Sequence, residues 1–264
     1  MAGTTGKSLS TWYKDLLKIE NSNNGADATA RSIFDAHGNE TSTAISKDHL
    51  QVQPKNSDST TSFSVRNKNG NTKFLVDTSN NHVQSLGVHN NTQFKNFGVF
   101  DISPVAGTHY AMPMGGTVGN EDSGSADWAL TSFGTDVDPA TSLTVSSSAQ
   151  NVTPCLWYLG YTVNIDAVRV IASAAASTTL NFHVMKYTLG TGTGAGAGDL
   201  SSGAVLASNG SPLTVGDDRI TTTTLTIATS AVSVNSVILC MVENVGGTDD
   251  VTATMEVAYH ITGT

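Results

Sequence analysis

The chain has 264 residues and a mass of 27.4 kDa, room for one large domain or two modest ones. Charged residues make up only 13% of it, well below the roughly 25% of an average soluble domain, and Ser, Thr, Asn and Gly take their place, a mixture that favours strands and turns over helices. The formal charge of −9 is uneven, with ten basic and eight acidic side chains in residues 1–100 against three and 14 in residues 101–264; this speaks against nucleic-acid binding by the second half, because phosphate neutralisation needs clustered Lys and Arg.

In chain order, residues 8–20 carry the one helical pattern. Leu9, Trp12, Tyr13, Leu16, Leu17 and Ile19 recur at helical spacing, with Ser8 or Ser10 as N-cap. A helix of three turns is unstable alone in water, so its apolar face must dock on its own chain or on a neighbouring protein. Leu9, Trp12, Tyr13, Leu16 and Leu17 are therefore candidate anchor residues, and Asn21 to Gly25 ends the element. Residues 1–27 are read as an anchor.

Residues 28–95 predict short strands separated by polar turns. Phe63 and Val65 alternate with polar neighbours, Asn69-Gly70 marks a turn, and Phe74-Leu75-Val76 and Val83 begin further strands. Large apolar residues are few. Fixing each backbone residue costs about 1–2 kcal/mol, so one copy buries too little, and this segment is expected to be a stalk built from several chains, with a trimer as the expected form. Residues 96–141, with the acidic run from Gly119 to Ser125, are read as a connecting region.

From residue 142 onward the strand signal is strong. Val251, Ala253, Met255, Val257, Tyr259 and Ile261 alternate with more polar residues, as do Leu180, Phe182 and Val184. Val237 to Val242 is apolar on both faces and predicts a central strand. Further strands are expected near 156–163, 165–171, 203–207 and 220–228. The fold class is all-β: a short N-terminal helix, a strand-rich oligomeric stalk and an antiparallel, jelly-roll-like β-sandwich over 142–264.

The search for chemistry returns no catalytic, cofactor or metal motif. Seven histidines are scattered without zinc-site spacing, and Gly190 to Gly198 alternates glycine without the spacing of a phosphate loop. The acidic pairs Asp136/Asp138, Asp217/Asp218 and Asp249/Asp250, and the group Glu121/Asp122/Asp127, are oxygen ligands that calcium accepts, but none has the EF-hand order, and solvated turns are expected. Trp157, Tyr158, Tyr161 and Tyr187 have the chemistry to stack on sugar rings; each also fits a core strand, and core is the expectation. Cys155 and Cys240 lie in apolar runs and are expected to be buried free thiols. No apolar run has the length of a signal peptide or of a membrane helix, so synthesis in the cytoplasm without export or membrane insertion is expected.

The run Lys7-Ser8-Leu9-Ser10-Thr11-Trp12-Tyr13-Lys14-Asp15-Leu16-Leu17, with Asn21 to Gly25 after it, resembles the start of virion structural proteins of tailed bacteriophages, marine ones especially. Phe63-Ser64-Val65-Arg66-Asn67, Phe74-Leu75-Val76-Asp77 and Val83 look like strand units of phage fibre shafts, and the similarity extends through Asn91 to Phe94 and Thr108 to Ala111. It covers about the first 115 residues; beyond them the likeness to phage knob or decoration domains is architectural. The resemblance implies a non-enzymatic homotrimer without cofactor, held to other virion proteins by its N-terminal region, projecting a C-terminal β domain. It implies a short head or tail appendage, with binding of a host-surface glycan as the alternative role.

Overall fold

The computed structural model describes residues 17–19, 26–35, 37–115, 130–145, 149–192, 194–216 and 219–263, and the chain divides into two compact units, Met1–Asn90 and Asn91–Thr264. The first unit holds two four-stranded antiparallel sheets. One joins β1 (Lys18–Ile19), β2 (Arg31–Phe34), β3 (Glu40–Ile45) and β4 (Leu50–Val52) in that order; the other joins β5 (Phe63–Arg66), β6 (Thr72–Asp77), β7 (His82–Ser85) and β8 (Val88–His89). Each is a meander with side-chain-built turns. Asn67 Oδ1 accepts from the backbone N–H of Asn69 and Asn71, at 3.0 and 2.9 Å, and Gly70 supplies the positive φ. Asp77 accepts twice from Asn80, from its backbone N–H and its side-chain amide, both at 2.8 Å.

Lys18 and Ile19, inside the predicted helix, pair with Phe34 and Ile33 as a strand. Helical spacing loses at that end because a partner strand satisfies the backbone groups that a short helix end leaves open; residues 8–16 of the predicted helix lie outside the described residues. Among the described residues of this unit only Ala44 and Asp77 are buried, while Leu50, Phe63, Val65 and Val88 are exposed.

The second unit is also antiparallel. Its seven-stranded sheet runs β10 (His109–Met112), β19 (Ser236–Asn244), β13 (Thr178–Leu189), β14 (Leu200–Ser208) and β17 (Thr226–Ile227), with β11 (Trp157–Tyr158) on β19 and β15 (Leu213–Val215) on β13. Its five-stranded sheet runs β16 (Thr221–Thr224), β12 (Thr162–Ala174), β20 (Val251–Gly263) and β9 (Thr92–Ile102), with β18 (Ala231–Val232) on β12. The stretch read as a connector thus contributes β9 and β10, one to each sheet. A helical turn, α1 (Ala149–Val152), followed by a 3-10 turn at Thr153–Cys155, precedes β11.

One apolar cluster draws on both sheets: Phe97 and Val99 from β9, Val168 and Val170 from β12, Met255 and Val257 from β20, and Phe182, Val184, Leu206, Ile238 and Cys240 from the seven-stranded sheet. A second cluster uses that sheet's other face, where Met185, Tyr187, Leu239 and Met241 meet Phe133, Val152 and Cys155. Central β19 is therefore buried on both sides, as its run of apolar residues predicts. The alternation along β20 holds from Val251 to Val257 and then changes. A bulge at Asp166 in β12 shifts the register, and beyond it Ala258 and His260 are buried while Tyr259 and Ile261 are only half-buried.

Candidate functional site

Two recesses of the second unit gather side chains with chemistry. The first sits where the outer face of the seven-stranded sheet turns polar. His109 on β10 and Asn181 on β13 both stand opposite Glu243 on β19, so strand pairing alone aligns the three. The Asn181 amide donates to Glu243 Oε2 at 2.7 Å, and His109 Nε2 lies 3.4 Å from the same oxygen. His183, two residues along β13, places its ring 5.0 Å from that of His109, and its Nε2 lies 3.4 Å from Asp138 Oδ1. Asp136, Val137 and Asp138 close one side of a cleft of about 390 Å³, and Ser208, Asn209 and Pro212 close the other. Neither nitrogen of His109, nor Nδ1 of His183, has a hydrogen-bond partner among the described residues. Burial holds the His183 imidazole below its ordinary pKa; the neighbouring His109 acts in the same direction, and Asp138 and Glu243 oppose it. Among the described residues the donors form two separate pairs instead of converging on one point.

The second recess, about 340 Å³, is aromatic. Trp157 and Tyr158 come from β11, Leu159, Gly160 and Tyr161 from the turn into β12, Tyr259 and Ile261 from β20, and Gln93 from β9. Trp157 forms the floor at 8% exposure, its ring 4.6 Å from that of Tyr259, while Tyr158 and Tyr161 are 52% and 51% exposed. The Tyr158 hydroxyl donates to Asn235 Oδ1 and the Tyr259 hydroxyl to Gln93 Oε1, both at 2.8 Å. Backbone bonds pin the rim, with Leu159 N–H on Ser236 O and Asn235 N–H on Leu159 O. Among the described residues, no charged side chain lines this groove.

No family model matches the chain, and no curated protein matches it. Among solved structures, it is similar to a chain of infectious bursal disease virus, Gx strain, at 9% identity over 72% of this chain and 44% of that one, with a TM-score of 0.21. A second is a chain of infectious bursal virus-derived T=1 particles, at 10% identity over 76% of this chain and 70% of that one, with a TM-score of 0.14. This chain spans less than half of the first viral chain. Likeness at these scores establishes neither fold nor role.

The aromatic residues picked out in the sequence separate. Trp157 and Tyr187 are core, as expected; the Tyr187 hydroxyl donates to the Ala140 carbonyl at 2.7 Å and its ring packs near Phe133. Tyr158 and Tyr161 are not core but stand at the groove rim, because β11 is two residues long and the chain leaves the sheet at Leu159. Gln93 and Tyr259, the groove's other polar contributors, carried no signal of a site; Tyr259 read only as part of a strand's alternating face. Of the candidate anchors, Leu9, Trp12, Tyr13 and Leu16 lie outside the described residues, and Leu17 is exposed.

Asp136 and Asp138 belong to the histidine cleft, while Glu121, Asp122, Asp127, Asp217 and Asp218 lie outside the described residues. Asp250 accepts from the Ser103 hydroxyl, and the backbone carbonyl of Asp249 accepts from the Asn244 amide. The glycine-rich segment is a close-packed β13–β14 connection: Gly190 N–H donates to Asp199 O and Gly198 N–H to Gly190 O, and a Cβ on Gly190 would lie 2.4 Å from Gly196 O. Gly190 is there for backbone proximity, whereas Gly192, Gly196 and Gly198 supply positive φ. Both cysteines are free and buried; burial pushes the Cys155 thiol up to about 12 and raises Cys240 well above its ordinary value.

Proposed function

We propose that this chain is a non-enzymatic virion structural protein, a homotrimeric surface appendage of a tailed bacteriophage. Leu9, Trp12, Tyr13, Leu16 and Leu17 attach it to other virion proteins, the strands up to Asn90 form the shared stalk, and residues 91–264 form a displayed antiparallel β-sandwich. The observation that carries the multi-chain stalk is the near-absence of a core among the described residues of the first unit, where eight strands bury only Ala44 and Asp77 while Phe63 and Val65 stay exposed. Strands without a buried face are marginal alone, and packing against further copies supplies the missing burial. The N-terminal resemblance supports the phage setting.

Light scattering of the full chain is expected to give three times the monomer mass, and a stable monomer would sink the stalk. In particles, the double variant Trp12→Ala/Leu16→Ala is expected to be left out of the assembled virion; retention at the normal level removes the anchor from the proposal. Imaging of particles carrying a labelled copy then distinguishes head from tail. A second reading, in which the outer unit adsorbs to host-surface glycan, is favoured by the solvent-facing Tyr158 and Tyr161 over a neutral recess.

A further inference from the structure

We infer that the groove between Tyr158, Tyr161, Trp157 and Tyr259 binds a single neutral pyranose ring at the end of a glycan chain. The inference deepens the receptor-binding reading, on which it rests for its biological setting.

Three properties select this occupant. First, the groove offers aromatic rings at two depths: Trp157 and Tyr259 packed together below, and two half-exposed tyrosines above. The face of an aromatic ring is electron-rich, and a pyranose presents patches of C–H groups that carry small positive charge, so the two surfaces attract beyond the apolar area they bury. Second, the polar fixtures sit at the edges, where sugar hydroxyls project. Gln93, which lines the groove, and Asn235 each accept from a tyrosine hydroxyl at 2.8 Å, so the side-chain NH2 of Gln93 is left as a further donor at the groove. Third, the described lining residues carry no charge, and residues 101–264, which supply all of them but Gln93, hold 14 acidic against three basic side chains. An anionic sugar gains no partner and meets repulsion, whereas a neutral hexose meets neither.

Size separates a sugar from a peptide. A recess of about 340 Å³ sits at the small end of the ~300–1,000 Å³ span of small-molecule sites; it holds a ring and is too short for an extended proline-rich segment laid across several aromatic ridges. The tyrosines are also pre-positioned. Tyr158 is tethered to Asn235, Tyr259 to Gln93, and the turn between them is pinned by Leu159 on both sides, so little side-chain freedom is lost on binding.

The test is saturation-transfer NMR on the full-length protein with methyl β-galactopyranoside, methyl α-glucopyranoside, N-acetylglucosamine and, as the anionic member, N-acetylneuraminic acid. At least one neutral sugar is expected to receive saturation on its ring C–H protons, with a dissociation constant on the order of 1 mM for so small a ligand. Tyr161→Ala and Tyr158→Ser each weaken that binding about tenfold or more, Tyr161→Phe keeps it because the ring face remains, and Ile220→Ser, at an exposed position outside the groove lining, leaves it unchanged. Both tyrosines are half in solvent, and an unaltered unfolding midpoint checks that the variants fold. The inference is overturned by any of four outcomes: no transfer to any neutral sugar, equal transfer in the tyrosine variants, a preference for N-acetylneuraminic acid, or capture of a proline-rich peptide in place of sugar. It is likewise overturned if Tyr161→Ala changes the oligomeric mass, which makes the groove a contact between copies. Failure here leaves the virion role standing, because incorporation into particles is measured separately through Trp12 and Leu16.

Discussion

His109 and Glu243 face each other across β10 and β19 with Nε2 and Oε2 3.4 Å apart, in a site where the histidine is fully buried. Asn181 holds the carboxylate from the opposite strand, and His183 packs against the His109 ring from the same side. Two imidazoles, Glu243, Asp138 and Asp136 thus share one corner of the unit.

Acidification is expected to destabilise the second unit through His183. Its folded pKa is depressed by burial and by His109, so below the unfolded value of about 6.5 the unfolded chain holds more protons on this residue than the folded one. Its share of stability is present above about pH 6.5 and is lost as pH falls through the lower folded value. Urea midpoints at pH 7.5 and 5.0 measure the loss, and His183→Gln should show a smaller drop; an equal or larger drop places the acid sensitivity elsewhere.

The two thiols should be silent in the native protein. Cys155 and Cys240 are buried on opposite faces of the seven-stranded sheet, and burial suppresses the thiolate of both. A chromogenic disulfide reagent at pH 8 is expected to label neither within minutes, and both after denaturation in guanidinium. Prompt labelling of one thiol in the folded state contradicts the packing around it.

Gly203→Ala should destabilise the unit despite its conservative chemistry. A Cβ there would meet the Tyr187 ring at 2.6 Å and the Thr141 backbone at 2.7 and 2.9 Å, because residue 141 crosses over β14 and accepts the Gly203 N–H at 2.8 Å. Overpacking against backbone costs about 1–3 kcal/mol. Chemical denaturation of the two proteins side by side reads the difference, and an unchanged midpoint shows that the crossing segment yields freely.

Phe182→Ala and Ile171→Ser contrast the two faces of the sheets. Phe182 is fully enclosed in the shared cluster, and truncating it costs about 3–5 kcal/mol. Ile171 points outward from β12 at 53% exposure, and its change should stay within about 0.5 kcal/mol. A large effect at Ile171 identifies that face as covered by another copy.

The amino-acid sequence by itself determined the local layers. Period-2 alternation from Val251 to Val257, the doubly apolar run of β19 and the Asn67 to Gly70 turn follow from short-range geometry: a strand's faces alternate, and a turn is built by its own side chains. The strands β9 and β10 were hidden in a stretch read as a connector because β9 alternates irregularly and is defined by its pairing with β20, some 160 residues away. Tertiary structure alone decided the sites. His109 meets Glu243, and Gln93 meets Tyr259, only through strand register. Periodicity records which face of a strand is buried, whereas a site needs to know which strand lies beside it, and that is set by pairing between residues far apart in the chain.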